Sequence, residues 1–159
     1  MNTSLITTLS LVLMVTFATC SNGAPANQPD RPGNAGPGLG DEVRIKVGQE
    51  VRIEGEGGAE IFVRFVEVAN DSRCPEGVQC VWEGDAEAVF SMRAGEGEPA
   101  TMTLHTAARY DREASAHGYT LRLAGLDPYP REGKTIDPAN YVATVVLTAG
   151  SSTSASSDR

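Results

Sequence analysis

The sequence predicts an all-β domain: an antiparallel β-sandwich of about seven to eight short strands, with Greek-key connections and one disulfide-pinned hairpin. Three observations predict it. Between residues 41 and 150 the apolar residues recur with period two, the period of a strand with one buried face. The 17 Gly and 9 Pro break that pattern at short intervals, as turns between short strands require. Two cysteines, Cys74 and Cys80, flank a bend that contains Pro75 and Gly77.

Residues 5–17 form an apolar run diluted by Thr and Ser. It is short for a bilayer span and fits the hydrophobic region of a secretory signal, although no Lys or Arg precedes it. The stretch Phe17-Ala-Thr-Cys20 resembles the lipobox of bacterial lipoproteins, with Phe17 and Thr19 departing from its commonest residues. That resemblance implies a lipid on Cys20 and the membrane as a partner through it. Acyl chains contribute about 0.8 kcal/mol per buried methylene, so several of them anchor firmly. Plain signal-peptide cleavage after Gly23 or Ala26 is the alternative, and it also removes Cys20. Residues 1–20 are thus assigned to the signal. Residues 21–40, rich in Gly, Pro and Asn, read as a disordered tether. Residues 41–150 form the sandwich, and 151–159 a disordered polar tail.

Within the domain, Val43, Ile45 and Val47 alternate with Arg44 and Lys46, and Gly48-Gln49 offers a bend before Val51 and Ile53. Residues 54–58 form an acidic, Gly-rich turn. Residues 61–68 are almost wholly apolar, which predicts a central strand buried on both faces. Ala86, Ala88, Phe90 and Met92 alternate with polar neighbours, as do Met102 and Leu104, Tyr119, Leu121 and Leu123, and Tyr141, Ala143, Val145 and Leu147. Residues 109–116 read as a short helical turn or an exposed loop. Residues 127–133 hold Pro128 and Pro130, which lack amide donors, so they predict a long crossover loop suited to a Greek key.

The chain carries 21 acidic and 13 basic residues, a net charge of −8. Nucleic acid is excluded as a partner, because phosphate binding needs a basic face. In an oxidising compartment Cys74 and Cys80 are expected to pair, with Pro75 and Gly77 folding the chain back between them. Closing that seven-residue ring stabilises by about 2.4 kcal/mol in the chain-entropy view. The spacing does not match a redox Cys-x-x-Cys, and a zinc site would need both His105 and His117.

The stretch Asp71-Ser-Arg-Cys74-Pro, followed by Cys80-Val-Trp82-Glu-Gly84, resembles a motif of small secreted or lipid-anchored bacterial β-proteins. There an Asp-Ser-Arg-Cys-Pro segment precedes Cys-x-Trp-x-Gly and a β-rich remainder. The segment 121–130 and the closing strand at Tyr141 are similar too. The resemblance implies a fold and an exported location. It brings no activity, ligand, cofactor or catalytic residue.

Two placements of Trp82 follow from the motif. One is a core Trp packed on the disulfide; the other is the rim of a binding surface. Arg73 beside Asp71 predicts a local ion pair that shapes the turn, or an anion-binding group. Tyr129, between two Pro residues, is an exposed aromatic or a lid over the end of the sandwich. His105 is expected to point to solvent. No nucleophile elbow, His-Glu-x-x-His helix or EF-hand spacing occurs. The expectation is a non-catalytic envelope lipoprotein that needs no cofactor or metal and binds an envelope protein or small ligand through Arg73, Trp82 and Tyr129. Two alternatives are a metal-dependent protein or enzyme using His105 and His117, and a secreted protease inhibitor presenting the Cys74–Cys80 loop.

Overall fold

A computed structural model describes residues 36–150. It contains eight strands: β1 (Glu42–Lys46), β2 (Glu50–Glu54), β3 (Glu60–Asp71), β4 (Ala86–Ala94), β5 (Ala100–His105), β6 (Glu113–Ala116), β7 (Tyr119–Asp127) and β8 (Val142–Ala149). They form two antiparallel four-stranded sheets, ordered β2-β3-β4-β5 and β1-β8-β7-β6. The all-β class, the sandwich and the number of strands are as the sequence predicts. The signal segment, Cys20, the tether through residue 35 and the tail 151–159 lie outside the described residues.

Alternation selects what enters the core. Ala86, Ala88, Phe90 and Met92 of β4 point inward and are fully buried, as do Leu121 and Leu123 of β7 and Ala143, Val145 and Leu147 of β8. Phe65 and Phe90 are register partners on β3 and β4, and their rings stack 5.0 Å apart. Each such side chain contributes about 1.5–3 kcal/mol of burial.

Four expectations are corrected. Strand β3 buries one face only: Ile61, Val63 and Phe65 point inward, while Val66 faces out. No further layer covers this sheet among the described residues; the Arg93 guanidinium lies 3.8 Å over the Phe62 ring and shields it instead. Register shifts after Phe65 and Val68 also break the apolar run into differently facing pieces. Of the two readings of residues 109–116, the exposed loop holds for 109–112 and the helical turn does not occur; 113–116 are a strand. This is β6, whose Ser115 meets Thr120 of β7 across the pair; four residues of Glu and small side chains are too few to display a period.

The Pro-rich loop is not a crossover. It joins β7 to β8, which are neighbours in one sheet, and the chain changes sheet between β1 and β2 and between β5 and β6. Proline reports that a segment is no central strand, not which strands it connects. The one non-sequential pairing among the described strands is β1 with β8. Finally, the folded part begins before residue 41. Leu39 packs on the core, the Gly40 amide donates to the Leu147 carbonyl at 2.8 Å, and Gly38 bridges to Glu54 at the edge of β2.

Because successive strands reverse direction, the connections sort to two ends. Segments 55–59, 95–99 and 117–118 are short turns at one end. Segments 47–49, 72–85, 106–112 and 128–141 gather at the other, and three of these are long. Functional residues concentrate on such loops when a rigid scaffold presents them.

Candidate functional site

At the loop end, the hairpin between β3 and β4 is closed by the Cys74–Cys80 disulfide, with Cα atoms 5.9 Å apart. Inside the ring, the Val78 amide donates to the Pro75 carbonyl at 3.3 Å, and Gly77 has φ +91°. This is the positive φ that the third position of a type II turn demands. The arms of the hairpin pair below the ring: the Cys74 amide donates to the Glu83 carbonyl at 2.9 Å, and the Ser72 amide to the Asp85 carbonyl at 2.7 Å. Gly84 closes the second arm at φ +71°. A Cβ there would lie 2.8 Å from Arg73 Cα and nearer still to the Ser72 carbonyl, so only glycine fits.

Arg73 locks the hairpin to the opposite sheet. It is 7% exposed, and its Nε and Nη2 donate to the two Asp71 carboxylate oxygens at 2.9 and 2.7 Å. Nη1 donates to the Leu126 carbonyl at 2.7 Å and Nη2 also to Pro128 at 2.9 Å. The Tyr141 hydroxyl donates to Asp71 at 2.8 Å, and the Tyr129 ring covers the guanidinium at 5.1 Å. Burial pushes the Asp71 carboxyl up, but hydrogen bonds from Arg73 and Tyr141 and the guanidinium charge outweigh it and hold its pKa below the usual carboxylate value. Burial and the bond to Asp71 push the Tyr141 phenol up to about 12. The expected ion pair is thus present within the hairpin, and its further hydrogen bonds to Leu126, Pro128 and Tyr141 tie it to the opposite sheet and its loop. Arg73 is committed to this brace and is not a free anion-binding group.

A second brace holds the loop between β5 and β6. Asp85, 6% exposed, accepts from the Thr106 amide at 3.0 Å, the Ala107 amide at 2.9 Å and the Thr106 hydroxyl at 3.1 Å. Its other oxygen meets His105 Nδ1 at 2.6 Å. Burial raises the Asp85 pKa, and these bonds, His105 first, bring it below the ordinary value. His105 therefore does not simply face solvent: it is tied to Asp85 and packs at 5.0 Å on Tyr110. The Arg109 guanidinium lies 4.9 Å over the same Tyr110 ring.

Trp82 does not pack in the core. It is 72% exposed, beside Val81 at 87%. The last buried pair positions of β3 and β4 are at Ala88 and Ala86, and the hairpin continues past them, so two residues past Cys80 the chain stands outside the sandwich. Trp82 and Val81 instead line an open cavity of about 610 Å³, together with Ser72, Cys80, Gly84, Arg109 and Tyr110. Its size is that of ordinary ligand sites. Tyr129 lines a separate cavity of about 330 Å³ with Arg131, Lys134 and Ile136. It is 44% exposed while covering Arg73, so both expected roles meet in one ring.

Of the residues expected to form one surface, only Trp82 reaches the larger cavity. Tyr129 belongs to the neighbouring one, and Arg73 lies beneath the loops. His105 and His117 sit at opposite ends: His105 ends β5 at the loop end, and His117 forms the tight turn between β6 and β7. They do not share a site, and no group of three or more metal-ligating side chains occurs among the described residues. Sequence reasoning missed Asp85, Arg109 and Tyr110. The only available signal was an acidic residue directly before the alternation of β4.

No helix among the described residues is long and apolar enough to cross a membrane. A disulfide of this kind belongs to an oxidising compartment. Comparison of the chain with protein-family models, curated proteins and solved structures returned no match.

Proposed function

We propose that the chain is an exported bacterial envelope lipoprotein whose sandwich is a non-catalytic binding domain, with the Trp82 cavity as its binding surface. The observation that carries this reading is the exposed Trp82 on a hairpin fixed by a disulfide, a buried ion pair and a required glycine. A large aromatic held in water on a braced loop is the composition of a binding hot spot, since little conformational freedom remains to be lost on association. The lipobox-like Phe17-Ala-Thr-Cys20 and the disulfide support export and anchoring. The resemblance of its Asp-Ser-Arg-Cys-Pro motif to small secreted or lipid-anchored β-proteins points the same way.

Binding is preferred to the metal or enzyme reading because His105 is occupied by Asp85 and His117 lies at the far end. It is preferred to the inhibitor reading because the Cys74–Cys80 ring is folded into a tight turn, whereas a protease takes up an extended segment. The test is titration of solubilised envelope material over the immobilised full chain, comparing wild type, Trp82→Ala and a control, Glu96→Gln, in the short-turn end. Trp82→Ala is expected to weaken retention by about tenfold or more, with the control unchanged. Equal retention of wild type and Trp82→Ala would overturn the reading. Mass spectrometry of the membrane fraction tests the anchor: a mature chain beginning with acylated Cys20 supports it, and an unmodified chain starting after Gly23 or Ala26 refutes it.

A further inference from the structure

We infer that the Trp82 cavity takes an acidic saccharide, a glycan chain whose pyranose rings carry carboxylates. This rests on the binding reading above and names the chemical class of the ligand. Of the side chains that line the cavity, Arg109 is the only charged one, and it makes no ion pair among the described residues. In a chain of net charge −8, this lining inverts the sign of the molecule. Arg73 is engaged with Asp71 and Arg131 with Glu76, Arg112 donates to the Leu123 carbonyl, and Lys134 lines the separate Tyr129 cavity, so none of these four cations lines the Trp82 cavity.

Arg109 is also held in place. Its guanidinium rests on the Tyr110 ring, Tyr110 packs on His105, and His105 is bonded to the buried Asp85. Asp85 fixes the start of the same loop through the Thr106 and Ala107 amides. The cation therefore meets a ligand with little rearrangement, and a guanidinium matches the two oxygens of a carboxylate. Trp82, on the other loop bounding the cavity, offers a flat apolar face whose indole Nε1 carries no hydrogen bond among the described residues. A pyranose combines what these two groups complement: an apolar C–H face for the indole, and an edge carboxylate for Arg109. The cavity is open to solvent, so a chain can pass through it without its ends being enclosed.

A peptide is the rival occupant. A proline-rich peptide would use the aromatic groove but leave Arg109 without an anion.

Trp82 is the only Trp of the chain, so its fluorescence reports the cavity directly. The full chain is titrated with trigalacturonate, with maltotriose as the uncharged counterpart and with a proline decapeptide. A saturable emission change with trigalacturonate, at least about tenfold tighter than with maltotriose, is expected. Arg109→Gln should bring the two sugars to within about twofold of each other while leaving thermal stability unchanged, and added salt should weaken only the acidic sugar. Equal response to both sugars, no response to either, or an Arg109→Gln variant that keeps the preference would each overturn the inference. A response to the decapeptide alone also overturns it, but leaves Trp82 as a binding surface. Failure of that wider reading shows separately, as equal retention of Trp82→Ala on envelope material.

Discussion

At the residue scale, the loop end depends on two carboxylates with different partners, Asp71 half-buried and Asp85 buried. Asp71 has a full positive charge beside it, so removing that charge strands a carboxylate away from water. Arg73→Ala is expected to destabilise by about 3–5 kcal/mol in urea unfolding followed by circular dichroism. A loss below 1 kcal/mol would show that the network is dispensable. Both Asp71 and Asp85 have folded pKa values lowered from an unfolded value of about 3.9. Their stabilisation is therefore complete above that value and is lost as pH falls through the folded values. The melting temperature should hold from pH 7 to about 5 and fall below about pH 4, and Asp71→Asn should show a lower but flatter acid profile. The Asp71–Arg73 pair was legible because the two residues are two apart in the sequence. Its contacts with Leu126, Pro128 and Tyr141 were not, since they depend on how the sheets face each other.

At the element scale, the hairpin 72–85 is tied at four levels: the turn within the ring, the disulfide, the paired arms and the Arg73 brace. The ring contributes about 2.4 kcal/mol through the unfolded state. The double variant Cys74→Ser with Cys80→Ser should lower stability by about that amount and still fold, because the brace and the paired arms persist. Gly84→Ala should cost about 1–3 kcal/mol from positive φ and from collision with the Ser72 carbonyl; unfolding titrations check both. Six of the strands were evident from alternation, since each has one wet face and one dry face. β3 misled because an apolar run states hydrophobicity but not which layer covers it; here an Arg side chain replaces a layer over Phe62. β6 was hidden by its length. The disulfide was legible from spacing and compartment. The direction in which the residues after it point was not, because outside a strand no period assigns a face.

At the scale of the whole domain, the sandwich separates structure from presentation. One end is closed by short turns, and the other holds the long loops, the Asp71–Arg73 ion pair, the Asp85 hydrogen bonds and the exposed Trp82, Val81 and Tyr110. Such an arrangement makes the core insensitive to the exposed groups. Trp82→Ala should leave the unfolding midpoint within about 0.5 kcal/mol of wild type, as for a surface site, whereas a core Trp would cost about 3–5. The candidate site was legible only as a place, the Cys-containing hairpin. Its second bank, Arg109 with Tyr110, arrives from a loop some 25 residues further on, brought there by the pairing of β4 with β5 and fixed by Asp85.

The claim on which the rest depends is that Trp82 is wet and yet held still. Time-resolved fluorescence anisotropy with acrylamide quenching measures both properties on the single Trp. The account predicts a red-shifted, readily quenched emission whose anisotropy decays with the tumbling of the domain. Shielded, blue-shifted emission would return Trp82 to the core, and a dominant sub-nanosecond decay would show a loop too loose to present it.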